Sequence, residues 1–113
     1  MNEESVALQV LKEGLDDWVL VDDIIALSRE VANQSGGSYK EVAMGVIERL
    51  LRRNEACLGV IGDSGFEDWE GAVEELCRRA LVDLEANDWM PLGGSFWIRN
   101  TPEGDRVARQ SDC

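Results

Sequence analysis

The acidic side chains of this chain fall into two groups. Asp16, Asp17, Asp22 and Asp23 bracket a short apolar run, WVLV, while Asp63, Glu67, Asp68, Glu70, Glu74 and Glu75 occupy a stretch from Ala56 to Cys77 that contains no Lys or Arg. With 23 Asp and Glu against 11 Lys and Arg, the formal net charge is −12. Such a surface repels nucleic acid and anionic membranes at long range and favours cationic partners. Carboxylates gathered this way could steer a basic protein into register and speed its association. They also serve as ordinary solubilising charge and as favourable decoration of helix N-termini.

The cations are concentrated elsewhere. Lys40, Arg49, Arg52 and Arg53 lie on one predicted helix, and Arg99, Arg106 and Arg109 could extend a basic patch. Neutralising phosphates needs several such charges, and base reading needs them in the N-terminal half of the docked helix. Three of the four helix cations lie at its C-terminal end, where they equally complement the helix dipole beside Glu48 and Glu55.

Catalytic and metal chemistry find little support. With no His at all, the commonest general base near neutral pH is missing. Cys57, Cys77 and Cys113 share no metal-ligand spacing, and Cys57 and Cys77 are expected as buried, reduced thiols behaving as small hydrophobes, with Cys113 exposed at the terminus. Asp63-Ser64-Gly65 begins like a calcium loop, but Phe66 and Trp69 interrupt the alternating oxygen ligands such a loop requires. Neither GGS nor GDSG matches a phosphate-binding glycine motif. Trp18, Trp69, Trp89 and Trp97 could stack as an aromatic platform, although their element-boundary and apolar-strand settings favour core packing with each indole N–H satisfied. The expectation is a protein that is not an enzyme and carries no cofactor or metal.

These residues are positioned by elements legible in the sequence. The clearest is a helix opening at Ser38, where Ser38 and Glu41 have capping-box spacing. Val42, Val46, Ile47, Leu50 and Leu51 form its apolar stripe, and Asn54 can take the left-handed conformation that ends it. Ala56 to Ile61 then reads as a short apolar strand. Before it come a helix from Ser5 to Glu13, capped by Ser5, stopped by Gly14 and carrying a stripe of Leu8, Leu11 and Leu15; a strand over Trp18 to Val21; and a helix capped by Asp22 that reaches about Ala32. After it, GDSGFEDWEG reads as a loop pinned by Phe66 and Trp69 folding back onto the core, and a helix from about Trp69 to Ala86, capped by Asp68, presents Val73, Leu76, Cys77, Ala80, Leu81 and Leu84. Trp89 to Gly94 reads as a turn and Ser95 to Arg99 as a strand. Thr101-Pro102 places a cap and an N1 proline at a final helical turn reaching Arg109, followed by a frayed tail over 110–113.

At 113 residues the chain suits a single α+β domain able to bury roughly two thirds of its unfolded surface. No apolar run approaches the ~18 residues of a membrane span. The acidic start MNEES lacks a signal-peptide pattern, so a cytoplasmic address is expected.

The order helix, strand, helix, helix, strand, inserted helix, strand resembles a winged helix. RLLRRNEACLGVIG looks like a third helix entering its wing strand, and FWIRNTPEGDRVAR is similar to the strand and helix start of MarR- and PadR-like regulators. This sequence departs from that pattern by placing a full helix, about 69–86, between the two wing strands. The resemblance implies a transcription regulator, dimeric and reading DNA with Lys40, Arg49, Arg52 and Arg53. The residues themselves favour a different leading expectation: a non-enzymatic protein-binding module of the inhibitor or immunity type, contacting a basic partner through Asp63, Glu67, Asp68, Glu70, Glu74 and Glu75.

Overall fold

The first helix begins two residues before its expected cap. In a computed structural model of the chain, which describes residues 2–110, Asn2 Oδ1 accepts the Ser5 amide at 2.9 Å and so caps α1 (Glu3–Glu13). Four further helices follow, α2 (Val21–Ser35), α3 (Tyr39–Arg52), α4 (Val73–Ala86) and α5 (Pro102–Gln110). Four strands, β1 (Val19–Leu20), β2 (Ala56–Gly62), β3 (Gly65–Asp68) and β4 (Trp97–Asn100), pair antiparallel in the order β1-β4-β2-β3. The molecule is thus α+β, as expected.

Local signals set α3 and α5 well. Ser38 Oγ accepts the Glu41 amide at 3.4 Å, and Asn54 sits at φ 55°. Thr101 Oγ1 accepts the Gly104 amide at 3.0 Å and donates to the Asn54 carbonyl at 2.6 Å, joining the start of α5 to the end of α3. Other boundaries move. Helix α2 starts at Val21 with no side-chain cap, and Asp22 lies inside its first turn, where one carboxylate oxygen accepts the Gly93 amide at 3.2 Å. The strand expected over Trp18 to Val21 shrinks to two residues because Val21 is already helical. Helix α4 starts at Val73, not near Trp69, and Asp68 is a strand residue, not its cap. The buried stripe of α1 is Val6, Ala7, Val10 and Leu11, with Leu8 and Leu15 only half-buried. Three elements, α2, α3 and α5, pack around this helix and select the face that goes inward.

The largest correction concerns GDSGFEDWEG. Its first half is a hairpin: Val60 pairs with Glu67, Ile61 with Phe66 and Gly62 with Gly65 across a turn at Asp63-Ser64. In the body of the sheet, Ala56, Leu58, Ile98 and Asn100 point toward the helices and are buried. Phe96 joins them and is fully buried beside Leu11, Ile24, Ile47, Leu50 and Leu84. Each of these aliphatic or aromatic side chains contributes ~1.5–3 kcal/mol on burial. Past Gly59 the alternation ends, with Val60 and Ile61 both exposed, so the hairpin projects beyond the helical layer.

Candidate partner-binding surface

The six acids singled out in the sequence divide by what they touch. Asp68 is held by Arg99, whose Nη2 lies 3.0 Å from both carboxylate oxygens. Glu74 meets Arg52 at 3.2 Å, an ion pair that ties α4 to α3. The backbone amide at its own position, and then Arg52, hold the Glu74 carboxyl below its ordinary range. Asp63, Glu67, Glu70 and Glu75 are exposed and form no ion pair among the described residues. Asp63 occupies the hairpin turn, Glu67 lies in β3, and Glu70 and Glu75 flank the entry to α4.

The helix α3 cations are largely engaged. Lys40 Nζ lies 5.7 Å from the centroid of the Trp89 ring. Arg49 is 3.9 Å from Glu4, and Arg52 bonds Glu48 at 2.9 Å as well as Glu74. Arg53 is exposed and has no ion pair among the described residues. At the N-terminal end of α3, Tyr39 packs edge-on against buried Trp89 at 5.9 Å, with Arg29 4.7 Å above the tyrosine ring. Helix α4 lies alongside α3, leaving a groove of about 550 Å³ bordered by Met44, Glu48, Arg52, Cys77 and Leu81. Along α3 and its C-cap, Lys40, Glu41, Glu48, Arg52 and Arg53 remain exposed.

The four tryptophans do not share one fate. Trp89 is buried, and Trp69 stacks on Phe96 at 4.9 Å beneath Arg79, whose guanidinium carbon lies 4.0 Å from the ring centroid. Their indole N–H groups meet no acceptor among the described residues, contrary to the expectation that each would be satisfied. Trp18 and Trp97 are not core residues. Register places Trp97, Arg99, Cys57, Gly59, Ile61, Phe66 and Asp68 on the sheet face opposite the helices, and Leu20 pairs with Trp97 on that same face. Trp18 is 37% exposed and its ring lies 5.5 Å from Phe66. The hairpin itself had a local signal, an apolar run followed by Asp-Ser-Gly, but the outward side taken by Phe66, which was expected to fold onto the core with Trp69, is set by its pairing with Ile61.

Cys57 and Cys77 are free and half-buried, not fully buried, and burial pushes both thiols up, which weakens them as nucleophiles. Cys113 lies outside the described residues. Among the described residues no three His, Cys, Asp or Glu converge as a metal site, and no helix is long and apolar enough to cross a membrane. Comparison with models of known protein families, with curated proteins and with solved structures returns no match.

Proposed function

We propose that this chain is a winged-helix-like module that binds a basic protein and performs no chemistry of its own. The fold part of the proposal draws on element order. Helix α1, β1, α2 and α3 precede β2, in a sheet where β4 lies between β1 and β2, and β3 with α4 forms an insertion between the two wing strands. The function part is carried by a single observation, the charge of the projecting hairpin. From Ala56 to Asp68 it contains Asp63, Glu67 and Asp68 and no Lys or Arg, whereas a wing that follows a phosphate backbone needs cations. A small acidic inhibitor or immunity-type protein that covers a basic surface fits this distribution.

A second reading, a regulator that binds DNA, is favoured only by the same element order. Of its expected contacts Lys40, Arg49, Arg52 and Arg53, the first three already have partners within the chain.

Fluorescence anisotropy separates the two readings. Labelled duplex DNA and a labelled arginine homopeptide are titrated in parallel at low and at physiological salt. The expected result is salt-sensitive binding of the peptide, none of the DNA, and weaker peptide binding in a Glu67→Lys, Glu70→Lys, Glu75→Lys variant, whose six-unit charge change reduces long-range attraction. Tight, salt-sensitive DNA binding would replace this proposal with the regulator.

A further inference from the structure

The outward sheet face carries more apolar surface than a solvated sheet needs. Leu20, Cys57, Phe66 and Trp97 are half-buried there, while Trp18 and Ile61 are 37% and 44% exposed. All five helices pack on the other side or around one another, so nothing among the described residues covers this face. An aromatic patch rimmed by polar residues marks an interaction surface more often than an isolated exposed side chain does.

We infer that this face, centred on Trp18, Phe66 and Trp97, is the docking site for an arginine-bearing segment of a protein partner. The inference rests on the acidic-module reading and adds to it the place of contact and the side chain recognised. Charge selects the occupant. Asp16 and Asp17 lead directly into Trp18, Asp63 forms the turn beside Phe66, and Asp68 lies on the face itself. The contact between Trp18 and Phe66 therefore joins the two acidic groups of the sequence along one border of the patch. A second copy of the chain would bring another −12 formal charges to the same surface, and self-repulsion opposes that pairing.

The preference for arginine follows from an arrangement already present within the chain. Arg99 places its guanidinium 5.4 Å from the Phe66 ring centroid while donating to both oxygens of Asp68 at 3.0 Å. A planar guanidinium can lie over a ring and bond a carboxylate at once, and the more strongly hydrated lysine ammonium does this less well. Trp18 offers a neighbouring ring with no cation of the chain above it among the described residues, and Asp16 and Asp63 are exposed nearby. The edge strand β3 adds an unpaired backbone edge along which an extended segment could lie.

The test is a titration of isotope-labelled protein with an arginine homopeptide and with a lysine homopeptide of equal length, followed by NMR. The arginine peptide is expected to bind more tightly and to shift the indole signals of Trp18 and Trp97 and the amides of Ile61 and Phe66. Trp18→Ala should weaken it about tenfold, and Ile61→Ser, an independent exposed substitution, should weaken it less, with circular dichroism showing both variants folded. Equal binding by wild type and Trp18→Ala, with shifts confined to Glu70–Glu75, would overturn the inference and leave the acidic module intact. No binding of either peptide at low salt would remove both. Shifts on this face that depend on protein concentration alone, with a dimer mass in sedimentation, would assign it to a second copy and overturn the inference.

Discussion

Replacing Gly104 by alanine sets two opposed effects against each other, and the packing of α5 decides between them. In an unconstrained helix, Gly→Ala is favourable by about 0.5–1 kcal/mol. Gly104, however, is buried where α5 packs against α1 and the Glu55 backbone. A Cβ there would overlap the carbonyl oxygen of Glu55 and lie 3.0 Å from its carbonyl carbon and 3.1 Å from Leu11 Cδ2. The obstacle is backbone, so no rotamer change relieves it. The same carbonyl accepts the Thr101 amide at 3.0 Å, and pushing it aside weakens that bond as well. Overpacking of this kind costs about 1–3 kcal/mol, and a displaced buried hydrogen bond about 1 kcal/mol more. After subtraction of the propensity gain, a net loss of about 1–3 kcal/mol remains, which for a domain of this size lowers the melting temperature by several degrees. Urea denaturation followed by far-ultraviolet circular dichroism measures it, with Arg106→Ala on the exposed side of the same helix expected to leave the midpoint nearly unchanged. A Gly104→Ala midpoint equal to or above wild type would refute the close approach of α5 to Glu55 and the reasoning built on it.

Asn100 is buried, and its Nδ2 donates to the Leu11 carbonyl at 2.8 Å and to Asp105 at 3.0 Å. Asn100→Ala is therefore expected to cost about 2 kcal/mol in the same denaturation assay, since it strands the acceptor at the end of α1. Burial, opposed by the Gln9 hydrogen bond and reinforced by Asp23, holds the Glu13 carboxyl above its ordinary 4.5. The folded state then binds this proton more tightly than the unfolded chain, so the contribution of Glu13 to stability falls as pH rises from 4.5 through the raised folded value. Glu13→Gln should accordingly melt higher than wild type near neutrality and lose that advantage in acid. Cys57 and Cys77, whose thiols burial holds above the ordinary 9.0, should react slowly with a disulfide reagent near neutral pH and faster only in strong alkali or on unfolding.

Much of the helical framework was legible because its signals are local. A cap at Ser38, a stripe of Val46, Ile47 and Leu50, a left-handed Asn54 and a Thr-Pro start at residue 101 each act within a few residues of chain, and each appears in the structure. Asp22 and Asp68 failed as caps for a reason the sequence does not carry. Each has a partner distant in the chain, the Gly93 amide for one and Arg99 for the other. The α1 stripe was shifted for a similar reason, since periodicity shows that a helix has an apolar face but the packing of α2, α3 and α5 chooses its centre.

The sequence by itself determined the composition of the candidate surface: an acidic chain with no His, two groups of carboxylates, and cations gathered near the end of α3. Those properties belong to residues one at a time and survive any arrangement of the chain. Only the tertiary structure decided which of these charges remain free and which side chains accompany them. Pairing of β3 with β2 sets a period of two, and helices packed on one side of the sheet leave the other side open, so Phe66 and Trp97 face outward beside Trp18 while Trp69 and Trp89 turn in. Whether an aromatic belongs to the core or to a surface is fixed by that register and by the layer above it, both of which are set by contacts between residues far apart in the chain.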